Sequence, residues 1–164
     1  MTTVNESVKR TALVTGGTGG LGTAIARALH DAGHTVLVTM RPGKDHSDWL
    51  KKQSNEGYDF KAYTVDVADY DSCIAGAKQM HDDGYHIDIL INNAGITRDA
   101  SFRKMDKEKW DLVMKTNLDS MFNMTKPLCE DMLAAGWGRI VNISSVNGSK
   151  GSFGQANYSS AKSG

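Results

Sequence analysis

The chain has 164 residues, 19 Lys+Arg against 19 Asp+Glu, and 2 cysteines. That length supports one domain with a core of its own. Zero net charge excludes a protein held on nucleic acid by bulk electrostatics, and no apolar run approaches the ~20 residues of a membrane span. Met1 to Ser7 shows no charged-then-apolar leader. Cys73 and Cys129 stand apart, without metal spacing or a disulfide framework, so a reducing, cytoplasmic setting is expected.

Short apolar runs alternate with longer helical patterns along the chain. Thr11 to Thr15 is a β-type run that ends in glycines. Leu21, Ile25, Ala28 and Leu29 then share one face of a helix over 21–32, which Gly33 stops. Thr35 to Met40 is a second strand, and 47–56 a short helix with Ser47 as its N-cap. A third strand spans 60–67, a helix 69–83 and a fourth strand 87–91. A long helical region runs from Asp106 to Ala135, with Pro127 expected to bend or interrupt it. Arg139 to Ile143 is the fifth strand. This alternation predicts an α/β fold, a single Rossmann-type domain over 1–164 with a doubly wound parallel sheet. Ligands of such sheets sit at the carboxyl ends of the strands, so the residues after each strand are the candidates for chemistry.

After the first strand comes Thr15-Gly16-Gly17-Thr18-Gly19-Gly20-Leu21-Gly22, opening a helix. Glycines let backbone approach a pyrophosphate, and the helix start offers free N–H groups and the positive end of its dipole. After the second strand, where an NAD-binding loop carries an acid, the sequence has Arg41. An arginine matches a 2′-phosphate, so NADP is expected, although Asp45 and Asp48 follow and Arg41 could be a solvated surface residue. Asp66-Val67 ends the third strand, and the Asp66 carboxylate suits either an adenine amino group or a helix cap. Asn92-Asn93-Ala94-Gly95, followed by Ile96 and Thr97, ends the fourth and reads on spacing alone as a turn.

Ser144-Ser145 follows the fifth strand. Of the 5 tyrosines only Tyr158 has a lysine, Lys162, four residues on, which puts both on one helix face. A phenol of ordinary pKa near 10 is a poor acid–base catalyst at neutral pH. A neighbouring ammonium stabilises the phenolate and corrects that. A serine hydroxyl can hold a carbonyl oxygen that the tyrosine protonates.

Taken together, Thr15-Gly16-x-x-x-Gly20-x-Gly22, Asp66-Val67, Asn92-Asn93-Ala94-Gly95, Asn117, Ser145 and Tyr158-x-x-x-Lys162 resemble the short-chain dehydrogenase/reductases, in the family's order and across essentially the whole chain. The resemblance implies that Tyr158 is the catalytic acid and Ser145 orients the substrate carbonyl. It implies that Lys162 lowers the tyrosine pKa and holds the ribose, while Asn117 supports a proton-relay water. Asn92 to Asp99, Phe102 to Met105, Trp137 to Gly148 and Phe153-Gly154-Gln155 look like the branch that reduces acetoacetyl-CoA with NADPH for polyhydroxybutyrate synthesis. The 3-oxoacyl-(acyl-carrier-protein) reductases are its sister group. By that resemblance an acyl-CoA thioester is the expected partner, a homotetramer the expected assembly, and Asp99, Phe153 and Gln155 the substrate-side residues. The family fold continues past the Tyr-x-x-x-Lys helix with two more strands and a substrate lid. This sequence ends at Ser163-Gly164, so reductase activity is expected of a complete protein.

The remaining features read as ordinary surface and core. His30, His34, His46, His81 and His86 show no paired ligand spacing, and no metal is expected. The methionines Met105, Met114, Met121, Met124 and Met132 read as packing. Arg103, Lys104, Lys107 and Lys109 read as a solvated face that could also attract the phosphates of CoA. A dinucleotide-binding protein without turnover is the alternative of another class.

Overall fold

A computed structural model describes residues 8–164; the leader reading of Met1 to Ser7 falls outside the described residues. Five strands form one parallel sheet: β1 (Thr11–Val14), β2 (Thr35–Met40), β3 (Lys61–Thr64), β4 (Ile89–Asn92) and β5 (Arg139–Asn142). Their spatial order is β3-β2-β1-β4-β5. Leu13 lies level with Leu37 on one side and Leu90 on the other. The chain leaves β1 first toward β2 and later toward β4, so the crevice of a doubly wound sheet opens between the ends of β1 and β4.

Successive strand residues point to opposite faces, and each face is covered. Leu13, Leu37 and Leu90 pack with Cys73, Ala77, Met80, Met124 and Leu128, which come from α3 (Tyr70–Asp82) and the helix Ser120–Ala134. Val14, Val36, Val38 and Ile91 pack on the other face with Ala26 and partly buried Ile25 and Leu29 of α1 (Gly20–Asp31), and with Trp49 of α2 (Ser47–Asn55). The methionine reading holds for Met124 and Met132, both core residues.

The expected element order is observed, with three corrections. His46, not Ser47, is the N-cap of α2 and makes no side-chain cap bond; Ser47 is the first helical residue, and its N–H donates to Asp45 Oδ1 at 2.8 Å. That bond holds the Asp45 carboxyl below its usual pKa. Strand β3 ends at Thr64, although the Val65 N–H still donates to the Met40 carbonyl at 3.0 Å. The long helical region is three pieces: α4 (Lys107–Met114), a π-helical turn at Lys115–Asp119 and α5 (Ser120–Ala134). Pro127 lies inside α5 without ending it. The interruption is at Asn117, inside the π-helical turn. After β5 come α6 (Val146–Lys150) and α7 (Ala156–Ser163). Among the described residues no helix is long and apolar enough to cross a membrane.

Candidate active site

A cleft of about 580 Å³ opens at the carboxyl end of the sheet, within the size range of a cofactor site. Its floor is tied together by Thr15, which is buried. The Thr15 hydroxyl oxygen accepts from the backbone N–H groups of Asn93 and Ala94, each at 3.0 Å, and donates to the Ile91 carbonyl at 3.4 Å. Asn93 returns its amide to the Thr15 and Gly16 carbonyls at 2.9 and 3.3 Å. The ends of β1 and β4 are thereby locked to each other at the switch point.

Each glycine of the loop has its own physical reason. Gly16 has φ +63, a left-handed conformation, and a Cβ there would stand 3.0 Å from the Ala94 Cα. A Cβ on Gly22 would fall 2.4 Å from the Gly16 carbonyl oxygen, so helix and loop approach as closely as they do only with glycine there. Gly20 faces open space in the cleft. Gly17 packs against Val38, and neither Gly17 nor Thr18 lines the cleft. The first turn of α1 carries no acidic residue and no side-chain cap. The Gly19 N–H donates to the Gly16 carbonyl at 3.1 Å, so the N–H groups at Gly20, Leu21 and Gly22 and the dipole are left for an anion. An open glycine cradle before an uncapped helix start fits a dinucleotide pyrophosphate.

The other expected cofactor residues surround this cradle. Arg41 is exposed, lines the cleft and has no ion-pair partner among the described residues. Asp66 lines it too, with Oδ1 accepting from the Ala68 N–H at 3.0 Å, while Asp69 is the N-cap of α3. Val67, Asn93, Ala94, Gly95, Ile96 and Thr97 all face the cleft.

Tyr158 and Lys162 of α7 line the same cleft. Lys162 is 6% exposed, and its Nζ donates to the Ile143 carbonyl at 2.6 Å. Burial alone pushes its ammonium below the ordinary lysine value. A cation with one carbonyl partner keeps two N–H donors for a ligand or a phenolate. The Ser145 Oγ accepts from the Asn147 N–H at 3.2 Å as the N-cap of α6. That bond leaves the hydroxyl proton of Ser145 free to be donated.

Asn117 is fully buried, and its amide is used twice: Oδ1 accepts from the Ile96 N–H and Nδ2 donates to the Ile96 carbonyl, both at 2.8 Å. Widening the helix into a π turn is what carries this residue at the strand end. The side chain is a clamp on Ile96.

The substrate-side trio separates. Gln155 Nε2 donates to Asp99 at 3.0 Å and its Oε1 accepts from Asn147 at 2.8 Å, whereas Phe153 is 94% exposed. None of the three lines the cleft. The basic cluster is partly neutralised: Lys107 pairs with Asp111 and Lys109 with Asp106. Trp137 lies between Arg10 and Arg139, 4.1 and 4.8 Å from its ring centroid.

Residue patterns alone did not reach several of the lining residues: Thr39, Ala68, Leu112, Thr116 and Ile143; of the Ser144-Ser145 pair, Ser144 lines the cleft and Ser145 does not. Thr39 shows why, since its hydroxyl accepts from the Gly16 N–H at 3.0 Å across two strands. Asn157 was also missed. It is fully buried, bridges the Arg98 and Lys109 carbonyls at 3.0 and 3.2 Å, and accepts from the Tyr158 N–H at 2.8 Å. Its position directly before Tyr158 is the one signal the sequence offered.

A doubly wound sheet with a glycine cradle at its switch point and a Tyr–Lys pair in the same cleft defines a dinucleotide-dependent class of α/β protein. The chain belongs to the short chain dehydrogenase family, whose model matches residues 10–164. It is 50% identical over 157 residues to an acetoacetyl-CoA reductase of Cupriavidus necator, and equally to nodulation protein G of Azospirillum brasilense. It is 41% identical over 157 residues to a 3-oxoacyl-(acyl-carrier-protein) reductase of Aquifex aeolicus. These alignments cover 94–95% of this chain and 63–64% of the relatives' own lengths.

Proposed function

We propose that the protein is an NADPH-dependent 3-oxoacyl thioester reductase that converts acetoacetyl-CoA to (R)-3-hydroxybutyryl-CoA, in the cytoplasm, as a homotetramer, on the route to polyhydroxybutyrate. The observation that carries the reading is that Tyr158 and Lys162 line the same cleft as the glycine cradle. The acetoacetyl-CoA reductases among its relatives supply the substrate class.

NADPH, when bound, supplies the hydride. The chain's own residues do the rest. The start of α1 receives the pyrophosphate, Arg41 the 2′-phosphate and Asp66 the adenine amino group. The Ser145 hydroxyl donates to the substrate carbonyl oxygen, and Tyr158 gives that oxygen its proton as the carbonyl carbon is reduced. Lys162 holds the ribose hydroxyls and stabilises the phenolate left on Tyr158. Asn117 clamps Ile96 and supports a proton-relay water. Asp99, Phe153 and Gln155 belong to the acyl-CoA side. A purely binding protein has no need of Ser145, Tyr158 and Lys162 together. Reduction of a carrier-protein thioester is the second reading, favoured by the Aquifex aeolicus relative.

The test is loss of NADPH absorbance by the complete protein with acetoacetyl-CoA and, separately, with acetoacetyl carrier protein. Faster turnover of the CoA thioester supports the first reading; the reverse selects the second. Tyr158→Phe is expected to lower turnover by about 10²–10⁴-fold with NADPH binding kept. Retention of more than about a tenth of the rate removes Tyr158 from the role of acid.

A further inference from the structure

At the amino edge of the sheet, opposite the cleft, the fold brings two nearby histidines together with a distant carboxylate. His81 sits in the last turn of α3, His86 in the loop before β4, and Asp131 in α5. His81 Nε2 is 2.8 Å from Asp131 Oδ2, and His86 Nδ1 is 3.5 Å from Asp131 Oδ1. The imidazoles stack at 5.6 Å between centroids, so both rings present a nitrogen to the same carboxylate. The three donor atoms lie within 4.8 Å of one another. Ligand pairs around a zinc ion with bonds of about 2.0–2.1 Å are about 3.3 Å apart, and the 3.5 Å between His86 Nδ1 and Asp131 Oδ1 is close to that spacing.

The carboxylate is the anchor. The Asp131 side chain is 12% exposed, and its Oδ2 also accepts from the Ile87 N–H at 3.1 Å, which fixes its orientation. Burial raises the Asp131 pKa, but bonds from His81, Ile87 and His86 outweigh that and hold it ionised. No lysine or arginine pairs with it among the described residues; its ionic contacts are the two imidazoles. Two nitrogens and one oxygen suit zinc, cobalt and nickel better than calcium or magnesium.

We propose that His81, His86 and Asp131 form a binding site for a divalent transition-metal ion of the zinc type, with water completing the coordination. The ion clips α3, the loop before β4 and α5 together at the edge of the sheet remote from the cleft. The site is independent of the reductase reading, because neither its residues nor its readout involves the cleft.

The experiment is a titration of the untagged chain with Co²⁺ alone, read by the visible absorption of the bound ion, then displacement by Zn²⁺. The expected result is one Co²⁺ per chain, displaced by Zn²⁺, with a higher thermal midpoint in saturating Zn²⁺. His86→Ala, a change at a loop residue whose side chain is 77% exposed, is expected to weaken binding about tenfold or more. Asp131→Asn, which keeps an oxygen for the Ile87 N–H, is expected to do the same. His34→Ala, remote from the cluster in sequence, is expected to leave binding unchanged. Absence of saturable binding, or binding that His86→Ala and Asp131→Asn both leave intact, overturns the proposal.

Discussion

Arg41 stands where the choice between two nicotinamide cofactors is made. Its guanidinium is exposed at the cleft, and the nearest acid in sequence, Asp45, is committed to the Ser47 N–H. A charge-assisted bond to a phosphate contributes about 1.5–3 kcal/mol. Arg41→Ala in the complete protein is therefore expected to cut the NADPH-over-NADH preference in kcat/KM by about 10–100-fold, chiefly through the KM for NADPH. An unchanged ratio assigns the selection elsewhere. At this scale the sequence was informative wherever a residue announces its chemistry by type and place after a strand: Gly16, Gly19, Gly20, Gly22, Arg41, Asp66, Tyr158 and Lys162 all face one cleft. It was uninformative where the role is a bond between distant segments. Thr39 and Asn157 look like any polar residue until the Gly16 N–H and the Arg98 carbonyl are brought beside them.

The helical region after β4 shows how an element is broken by a demand from outside it. A proline was the visible breaker, yet Pro127 sits inside α5, and the helix widens instead around Asn117. Nothing in helix propensity marks that asparagine. Its two bonds to Ile96 do, and they couple the helix to the cleft-lining segment after β4. The two residues should therefore respond in opposite directions. Asn117→Ala strands a buried N–H and carbonyl and is expected to destabilise by about 2–4 kcal/mol. Pro127→Ala restores a helix donor at the expense of some unfolded-state entropy and is expected to stabilise by about 1–3 kcal/mol. Urea unfolding of both variants checks this; a larger loss from Pro127→Ala would mean that the proline shapes the helix. The histidines make the same point. His81 and His86 have no ligand spacing to Asp131 in sequence, and only the packing of α3 on α5 assembles the cluster.

Over the whole molecule the sheet divides the labour between its edges. The carboxyl edge holds the cleft, and the amino edge holds the cation–π stack of Arg10, Trp137 and Arg139 together with the His–Asp cluster. Alternation of apolar runs with helical patterns was enough to read this architecture, because βαβ handedness leaves few other ways to join five parallel strands. The lateral edges differ from each other. On the β3 side, Tyr63 is buried and hydrogen-bonds to Asp83 at 2.8 Å, an arrangement that pushes its phenol pKa well up. On the β5 side all four strand residues are exposed, and Ile140 and Val141 are 44% and 43% accessible. Strand β5 pairs with β4 alone, so its outer N–H and C=O groups face solvent beside apolar side chains. Such an edge is a template for pairing with another chain, and natural sheets blunt it with charge, above all lysine. The 164-residue chain is therefore expected to self-associate with rising concentration, and Ile140→Lys to shift it toward monomer without lowering its helical signal. Sedimentation velocity across a concentration series reads this directly. A parent chain that stays monomeric throughout, or an Ile140→Lys variant that associates as strongly as the parent, would show that β5 is not the adhesive edge.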